Sequence, residues 1–414
     1  MLKHSPYYLT LITVFGPVIK FLFNSLDYIK LIDYVAVIII VVLLITTTIK
    51  KGFIKKISPW LILWFVFLMF HLIYSISFIG QEISLALIGL YSYLIYFLYW
   101  YLFFNLYSKQ FSYLSYFKFF IYLSVLIAII AIYQYFVDLS LFGYASSINP
   151  VLALGKNFHG EIRVTSIFTS IQVFSCFIAL IFIVLIDNLE IFKKYQNRIF
   201  LLLILFAGFL SGSKVFLLSI LVGFIYYFFI KIKKYKLESF LIVILSLLMI
   251  IISYIYVFNS PFKQELVNSQ SPIIRTVTPF FDINKFISQE TDYETSRINV
   301  YNKIIFQNDS LILGHGLGMF NSIANKERPA LESYTFQILM EVGLIGFIIF
   351  LIVLSIALFS KIYIISHKGL IIIMIILMSI NQSFDSIVFF PFYCFIIFPL
   401  IFKLKNGVNY NDTY

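Results

Sequence analysis

The chain has 414 residues, of which 61% are hydrophobic and only 12% are charged, with a net charge of +11. Soluble domains carry about 25% charged residues, so the composition excludes an ordinary soluble protein. Apolar runs of about 20 residues, long enough to cross a bilayer as helix, recur along the chain. Because these runs are apolar all round, they exclude the alternating pattern of a membrane barrel and predict an all-α integral membrane protein.

The apolar runs predict about twelve transmembrane helices. The first run is interrupted by Gly16, Pro17 and Lys20 and lacks a small-residue cleavage site, so we interpret it as a membrane helix rather than a targeting peptide. The predicted spans are 7–24, 32–49, 58–77, 83–107, 117–137, 166–187, 197–210, 213–230, 237–258, 334–360, 368–381 and 385–402.

Lysines predict the orientation of these helices. Clusters such as Lys50, Lys51, Lys55 and Lys56 fall on one side of the membrane when the helices are laid out in order. Cytoplasmic connections carry an excess of basic residues, so both termini are predicted to be cytoplasmic in a multi-pass protein of the cytoplasmic, or inner, membrane. The basic charge is thereby attributed to topology, and no nucleic-acid partner is predicted.

The chain 1–414 is predicted to be a single membrane domain with two longer outer loops. Residues 259–333 form the large extracytoplasmic loop, and residues 138–165 form a smaller one. The large loop contains "TSRINVYNKIIFQND", in which apolar residues recur at helical spacing, so we expect an amphipathic helix on the membrane surface. Loops of this length are usually functional or disordered.

A glycine-rich stretch, "SLILGHGLGMFNS", lies inside the large loop. Gly314, Gly316 and Gly318 resemble a phosphate-binding loop at first sight. They follow a predicted helix rather than a strand, however, and lack the βαβ frame that gives a nucleotide fingerprint its meaning. A nucleotide site is therefore not predicted, and a flexible turn is the plain alternative.

The arginines are distributed unlike the lysines. Arg163, Arg275, Arg297 and Arg328 fall on the predicted outer side, and only Arg198 falls inside. A guanidinium grips phosphate through two parallel hydrogen bonds and stays charged near a membrane. Outer arginines near helix ends therefore indicate a receptor for a diphosphate carried on a lipid.

Structural roles for these arginines remain open alternatives. Arg163 precedes a membrane helix and could extend to the lipid headgroups. Arg297 could pair with nearby Glu294, and Arg328 beside Glu327 could be an exposed charge.

Two other residues are candidates for proton transfer. Glu332 stands where the large loop re-enters the membrane, so it is either a general base or a helix-start carboxylate favoured by the dipole. His315 could be a ligand, a base or a loop residue. No metal site is predicted, because no second histidine or cysteine lies at ligand spacing, and Cys176 and Cys394 both fall inside apolar runs.

Three segments resemble a known family. "SRINVYNKIIFQNDSLILGHGLGMFNS" followed by "ESYTFQILMEVGLIGFIIFL" resembles the signature region of the O-antigen polymerase and ligase superfamily, the Wzy-type polymerases and related ligases. "RVTSIFTSIQVFSCFIALI" and "FLSGSKVFLLSILVGF" resemble two further blocks of that family. The resemblance covers about residues 160 to 355, while the first five helices match in hydropathy alone.

The resemblance implies a GT-C-like, lipid-phosphate-sugar glycosyltransferase that works without nucleotide, metal or other cofactor. A glycan on polyprenyl (undecaprenyl) diphosphate would be the donor and a newly flipped repeat unit the acceptor, in O-antigen or capsule synthesis. A flippase and a chain-length regulator would be partners. By matching position, Arg163, Arg275 and Arg297 would bind the diphosphate, and His315 is a further match. Lys214 and Arg328 are secondary candidates, and Glu332 and His315 are the candidate catalytic residues.

One departure favours a polymerase over a ligase. Ligases of the superfamily typically carry a His-Asn pair nine and eight residues before the glutamate that corresponds to Glu341, but this chain has Glu332 and Ser333 there. A ligase with a lipid or protein acceptor remains the first alternative. A flippase or transporter is the second, although such proteins usually show internal repeats and short outer loops.

Overall fold

The computed structural model describes residues 2–23, 38–46, 59–107, 111–137, 164–188, 191–223, 311–320, 333–359, 368–380 and 389–402, with single gaps at 41, 44, 169, 214 and 222. All regular structure in this part of the chain is helical, as the apolar runs predict. The helices are α1 (Ser5–Phe23), α2 (Pro59–Ser77), α3 (Ile83–Tyr107), α4 (Tyr113–Phe136), α5 (Ile171–Asp187), α6 (Lys194–Leu210), α7 (Tyr334–Phe359), α8 (Lys368–Ile380) and α9 (Phe390–Phe402).

Four of the described helices contain stretches long and apolar enough to cross a membrane. These stretches are Pro59–Ser77, Ile83–Phe104, Tyr113–Phe136 and Tyr334–Phe359, and shorter apolar helices occupy Ile171–Asp187 and Lys368–Ser379. The chain is thus a helical, multi-pass membrane protein. The predicted span 237–258 and most of both outer loops lie outside the described residues, so the total of twelve spans and the GT-C-like arrangement stay predictions.

The chain divides into two compact units. Unit 1 comprises Met1–Gly16, Ser25–Phe120 and Asn308–Tyr414, and unit 2 comprises Pro17–Asn24 and Ile121–Gln307. In unit 1, α7 packs against α2, α8 and α9, while α3 packs against α2 and α9. In unit 2, α5 packs against α6.

The core of unit 1 is largely aromatic, and several of its buried polar groups are paired with each other or with backbone. Trp100 stacks on Phe390 with ring centroids 5.2 Å apart and donates its indole N–H to the Phe390 carbonyl at 3.0 Å. The Ser5 hydroxyl lies 2.7 Å from the Tyr99 hydroxyl. Such pairing matters in a membrane because the hydrocarbon offers no alternative hydrogen-bond partner. α3 therefore carries both apolar and polar contacts into the core.

In unit 2, α5 is buried on every side from Val173 to Ile186. The helix begins at Ile171, capped by the Ser170 hydroxyl, and the predicted start at 166 is wrong. Ser166 has a positive φ of 53° and donates its hydroxyl to the Ile127 carbonyl at 2.7 Å, so its backbone is not helical. A turn at "SGS" follows α6 directly, between the predicted spans 197–210 and 213–230.

Candidate functional site

Residues 311–320, here called the glycine turn, pack among the helices of unit 1. They belong to the predicted outer loop 259–333, yet Gly314, Gly316, Leu317, Gly318 and Phe320 are all buried. The turn contacts α2 and α7 through the hydrogen bonds described below, and Gly318 lies close to Leu85 and Gly89 of α3. This part of the loop therefore lies in a protein interior rather than in solvent.

The glycine turn meets α7 where that helix is broken. Gly343 has φ 73° and ψ 178°, a backbone conformation that is essentially restricted to glycine. In a continuous helix, the N–H groups of Leu344 and Ile345 would bond to the carbonyls of Met340 and Glu341. At the break all four groups need other partners, because an unpaired backbone group in a membrane costs several kcal/mol.

The glycine turn supplies those partners through four backbone hydrogen bonds. Two run from the turn to α7 and two run from α7 to the turn. They join His315 N–H to the Met340 carbonyl at 2.8 Å, Gly316 N–H to the Glu341 carbonyl at 3.1 Å, Leu344 N–H to the Leu311 carbonyl at 3.0 Å and Ile345 N–H to the Ile312 carbonyl at 3.5 Å.

This arrangement is a reciprocal exchange between segments 311–316 and 340–345. Within each segment, the four groups involved are those that would bond to each other in a single helical turn, from residue i+4 back to residue i. Each segment instead gives its hydrogen bonds to the other. The two segments also place glycine at the same position, the fourth residue of each, at Gly314 and Gly343.

The two glycines allow the segments to approach each other closely. Gly314 has a positive φ of 81°, and a Cβ added to it would lie 2.5 Å from the Gly343 nitrogen. A Cβ on Gly343 would lie 2.6 Å from the Gly314 nitrogen and 2.5 Å from the Leu313 carbonyl carbon. These neighbours are backbone atoms that cannot rotate away, so the contact requires glycine on both sides.

The carboxylate of Glu341 holds the rest of the turn. One of its oxygens accepts from the Tyr93 hydroxyl at 2.8 Å and from the Gly318 N–H at 2.9 Å. The other accepts from the Phe320 N–H at 2.9 Å and from the Gln337 side-chain amide at 3.1 Å. Glu341 is fully buried, and each oxygen has two donors, the pattern that suits a carboxylate because it only accepts.

Polar side chains in the last two turns of α2 and just after it complete the attachment of the glycine turn. The Ser75 hydroxyl accepts from Leu317 N–H at 3.1 Å, and the Gln81 side-chain amide donates to the Leu317 carbonyl. The ring nitrogen Nε2 of His71 lies 2.9 Å from the Glu341 carbonyl oxygen, the correct distance for a donated hydrogen bond. The turn is therefore bonded to both α2 and α7.

The backbone N–H groups of the glycine turn show whether the turn could bind a phosphate in this conformation. The N–H groups of residues 315, 316, 317, 318 and 320 all donate to protein acceptors. A phosphate-cradling loop would direct such groups at its ligand. These amides instead bind the protein's own carboxylate and carbonyls, so their role in this conformation is to fix the turn in place.

His315 is the one predicted site residue that the structure describes. Its backbone is fixed to α7, its side chain is half-buried, and its ring lies 5.8 Å from the Phe320 ring in an edge-on contact. The other predicted site residues lie outside the described residues: Glu332, Arg163, Arg275, Arg297, Lys214 and Arg328. No group of three His, Cys, Asp or Glu side chains suited to a metal occurs among the residues that the structure describes.

The sequence interpretation missed the role of Glu341 and its partners. Glu341 is the sole charged residue in the apolar run of α7, and an ionisable residue inside a membrane helix indicates a functional site or a buried partner. That signal was present in the sequence. The contributions of Tyr93, Ser75 and Gln81 had no comparable signal, because they depend on which helices pack together.

Comparison with known proteins gives one family match, which covers part of this site. Residues 199–351 match the family model described as O-Antigen ligase, a region that includes the glycine turn, Glu341 and the break at Gly343. A search of the curated proteins found no match. The match at residues 199–351 supports the resemblance of this region to the O-antigen polymerase and ligase superfamily.

Proposed function

We propose that the protein is a polysaccharide polymerase that joins polyprenyl-diphosphate-linked repeat units on the outer face of the cytoplasmic membrane. The proposal is supported chiefly by the docking of the glycine turn on α7. The turn carries His315, and Glu332 lies two residues before the start of α7. The turn and α7 are hydrogen-bonded to each other, so each of the two candidate proton-transfer residues lies in or next to one of these paired segments.

The reaction is a glycosyl transfer. The anomeric carbon of the donor loses its bond to a diphosphate oxygen, which leaves with the electron pair. The acceptor hydroxyl oxygen forms the new glycosidic bond, and its proton passes to a base. We assign that base to Glu332, with His315 as the second candidate. Arg163, Arg275 and Arg297 are assigned to the departing diphosphate, whose developing charge they stabilise.

The choice of polymerase over ligase depends on two residues. The family match supports a ligase equally, as the family's description indicates. Glu332 and Ser333 occupy the places where ligases of the superfamily typically have histidine and asparagine. The structure gives Ser333 a capping role, since its hydroxyl accepts the Phe336 N–H at 3.1 Å. A carboxylate at 332 keeps a proton acceptor next to this helix start.

The test is Glu332→Gln, which keeps nearly the same shape and removes the base. We expect chain extension to fall by about a hundredfold or more, the usual contribution of a general base, while single repeat units accumulate on the lipid carrier. Gel analysis of carrier-linked glycan lengths measures this. The matched control is Glu82→Gln, because Glu82 is an exposed carboxylate that accepts only a local hydroxyl, from Ser84 at 2.6 Å.

The same gel separates the alternatives. A ligase defect would leave long chains on the carrier and block only their transfer to the final acceptor. A transporter defect would leave repeat units on the cytoplasmic face, which a membrane-sidedness assay detects. Normal ladders from Glu332→Gln would remove Glu332 from the mechanism and make His315 the next candidate base.

A further inference from the structure

We infer that the glycine turn is a detachable docking element, and that Glu341 is the positioning residue that holds it, and with it His315, in place for glycosyl transfer. The link to transfer rests on the proposed function. The docking itself rests on the contacts of the turn alone, so the two parts can fail separately.

The four backbone–backbone hydrogen bonds between the turn and α7 can be replaced when the turn leaves α7. Docked, segments 311–316 and 340–345 share four. Undocked, each segment can close two of its own: His315 to Leu311 and Gly316 to Ile312 in one, and the equivalent pair in α7 in the other. Gly314 and Gly343 tolerate both backbone states because glycine adopts positive and negative φ with similar ease. The backbone is therefore nearly neutral between the two states.

Side chains must then decide which state is occupied. Undocking removes Gly318 and Phe320 from the Glu341 carboxylate, and leaves that buried group with two of its four donors. It also separates Leu317 from Ser75 and Gln81. A buried carboxylate that loses partners is costly in a membrane helix, so Glu341 contributes more to docking than the neutral contacts do.

Glutamine at position 341 tests this without a large change in shape. Each Glu341 oxygen accepts one N–H from the turn, Gly318 on one side and Phe320 on the other. The –NH₂ of a glutamine must face one of those two N–H groups, whichever way the amide is turned. Glu341→Gln therefore opposes one donor with another, while Glu341→Asp keeps two accepting oxygens on a shorter side chain.

The experiment is hydrogen–deuterium exchange on the full-length protein in lipid nanodiscs. In Glu341→Gln we expect exchange in peptides covering 311–320 to rise by about ten- to a hundredfold, the ratio that corresponds to one unsatisfied buried N–H. Peptides from α5, in unit 2, should not change. Glu82→Gln should match the wild type in both regions. Unchanged exchange across 311–320 in Glu341→Gln would overturn the docking role, whatever the reaction of the protein.

A transfer assay with a lipid-linked repeat unit tests the positioning role. If the carboxylate positions the turn, Glu341→Asp should retain more activity and more protection than Glu341→Gln. If the residue only fills space, the larger glutamine should be the better substitute. If Glu341→Gln does not accumulate, Ser75→Ala provides an exchange test of the docking of the turn. It removes the acceptor of the Leu317 N–H, together with the bond from the Ser75 hydroxyl to the His71 carbonyl within α2.

The outcomes distinguish the two proposals. One outcome is that Glu341→Gln shows faster exchange but normal transfer, while Glu332→Gln blocks transfer. This outcome would refute the positioning role of Glu341 and leave the proposed polymerase function supported. Normal transfer in both variants would refute the proposed catalytic assignment while leaving the docking intact.

Discussion

Gly343→Ala tests the break in α7, because a broken helix and a continuous helix predict changes in stability of opposite sign. In a continuous helix, replacing glycine with alanine stabilises by about 0.8–1.0 kcal/mol. At φ 73° and ψ 178°, alanine instead costs about 1–3 kcal/mol in backbone strain. Its Cβ would also lie 2.5 Å from the Leu313 carbonyl carbon, and overpacking of that kind adds about 1–3 kcal/mol. The expected destabilisation is therefore roughly 2–6 kcal/mol.

The control for this substitution lies one turn further along the same helix. A Cβ on Gly346 would meet only side chains, the Val342 methyl at 2.8 Å and the far end of the Phe67 ring, which can move aside. Gly346→Ala should change stability by less than about 1 kcal/mol, since the helix-propensity gain offsets the shift of the ring.

The assay is thermal unfolding of the purified proteins followed by tryptophan fluorescence, combined with polymer ladders from cells. A change of 1 kcal/mol moves the unfolding midpoint by about 2–4 °C in domains of 150–250 residues, so the two variants should be clearly separated. An unfolding midpoint for Gly343→Ala equal to or above that of the wild type would refute the broken helix, and with it the exchange of hydrogen bonds.

Two further predictions concern the arginines assigned to the diphosphate and the topology of the chain. Arg163→Lys and Arg297→Lys should each lower polymer formation about ten- to a hundredfold at equal protein level, because a lysine keeps the charge but lacks the planar fork, and one charge-assisted contact contributes roughly 1.5–3 kcal/mol. Unchanged ladders in both would reassign these arginines to headgroup contacts. For topology, reporter fusions should be cytoplasmic near 53, 112, 195, 234 and 366 and external near 150 and 290, and an external signal at 234 would refute the twelve-helix prediction.

The sequence predicts the long membrane helices well. The predicted span 334–360 corresponds to Tyr334–Phe359 and 83–107 to Ile83–Tyr107, because a long apolar run in a membrane has few alternatives to helix. The start of α5 was predicted less well. Hydropathy does not register the positive φ of Ser166 or the cap at Ser170, which depend on individual hydrogen bonds.

The candidate site was predictable only in part. The glycine turn was recognised from its composition and from the family resemblance, but its partner in α7 was not. The apolar run containing Gly343 is typical of one uninterrupted helix, whereas in the structure it is broken at Gly343, and residues 311–316 supply the replacement hydrogen bonds. A contact between segments that lie distant in sequence cannot be derived from the periodicity of either segment.

The exchange of hydrogen bonds also bears on how α7 enters the membrane during synthesis. A segment inserting into lipid must satisfy its own backbone groups, since neither water nor a partner is at hand. The four groups at the break are i and i+4 partners of one another, so α7 can insert as an unbroken helix. A break that forms only when residues 311–316 dock would leave these backbone groups paired at every stage of insertion.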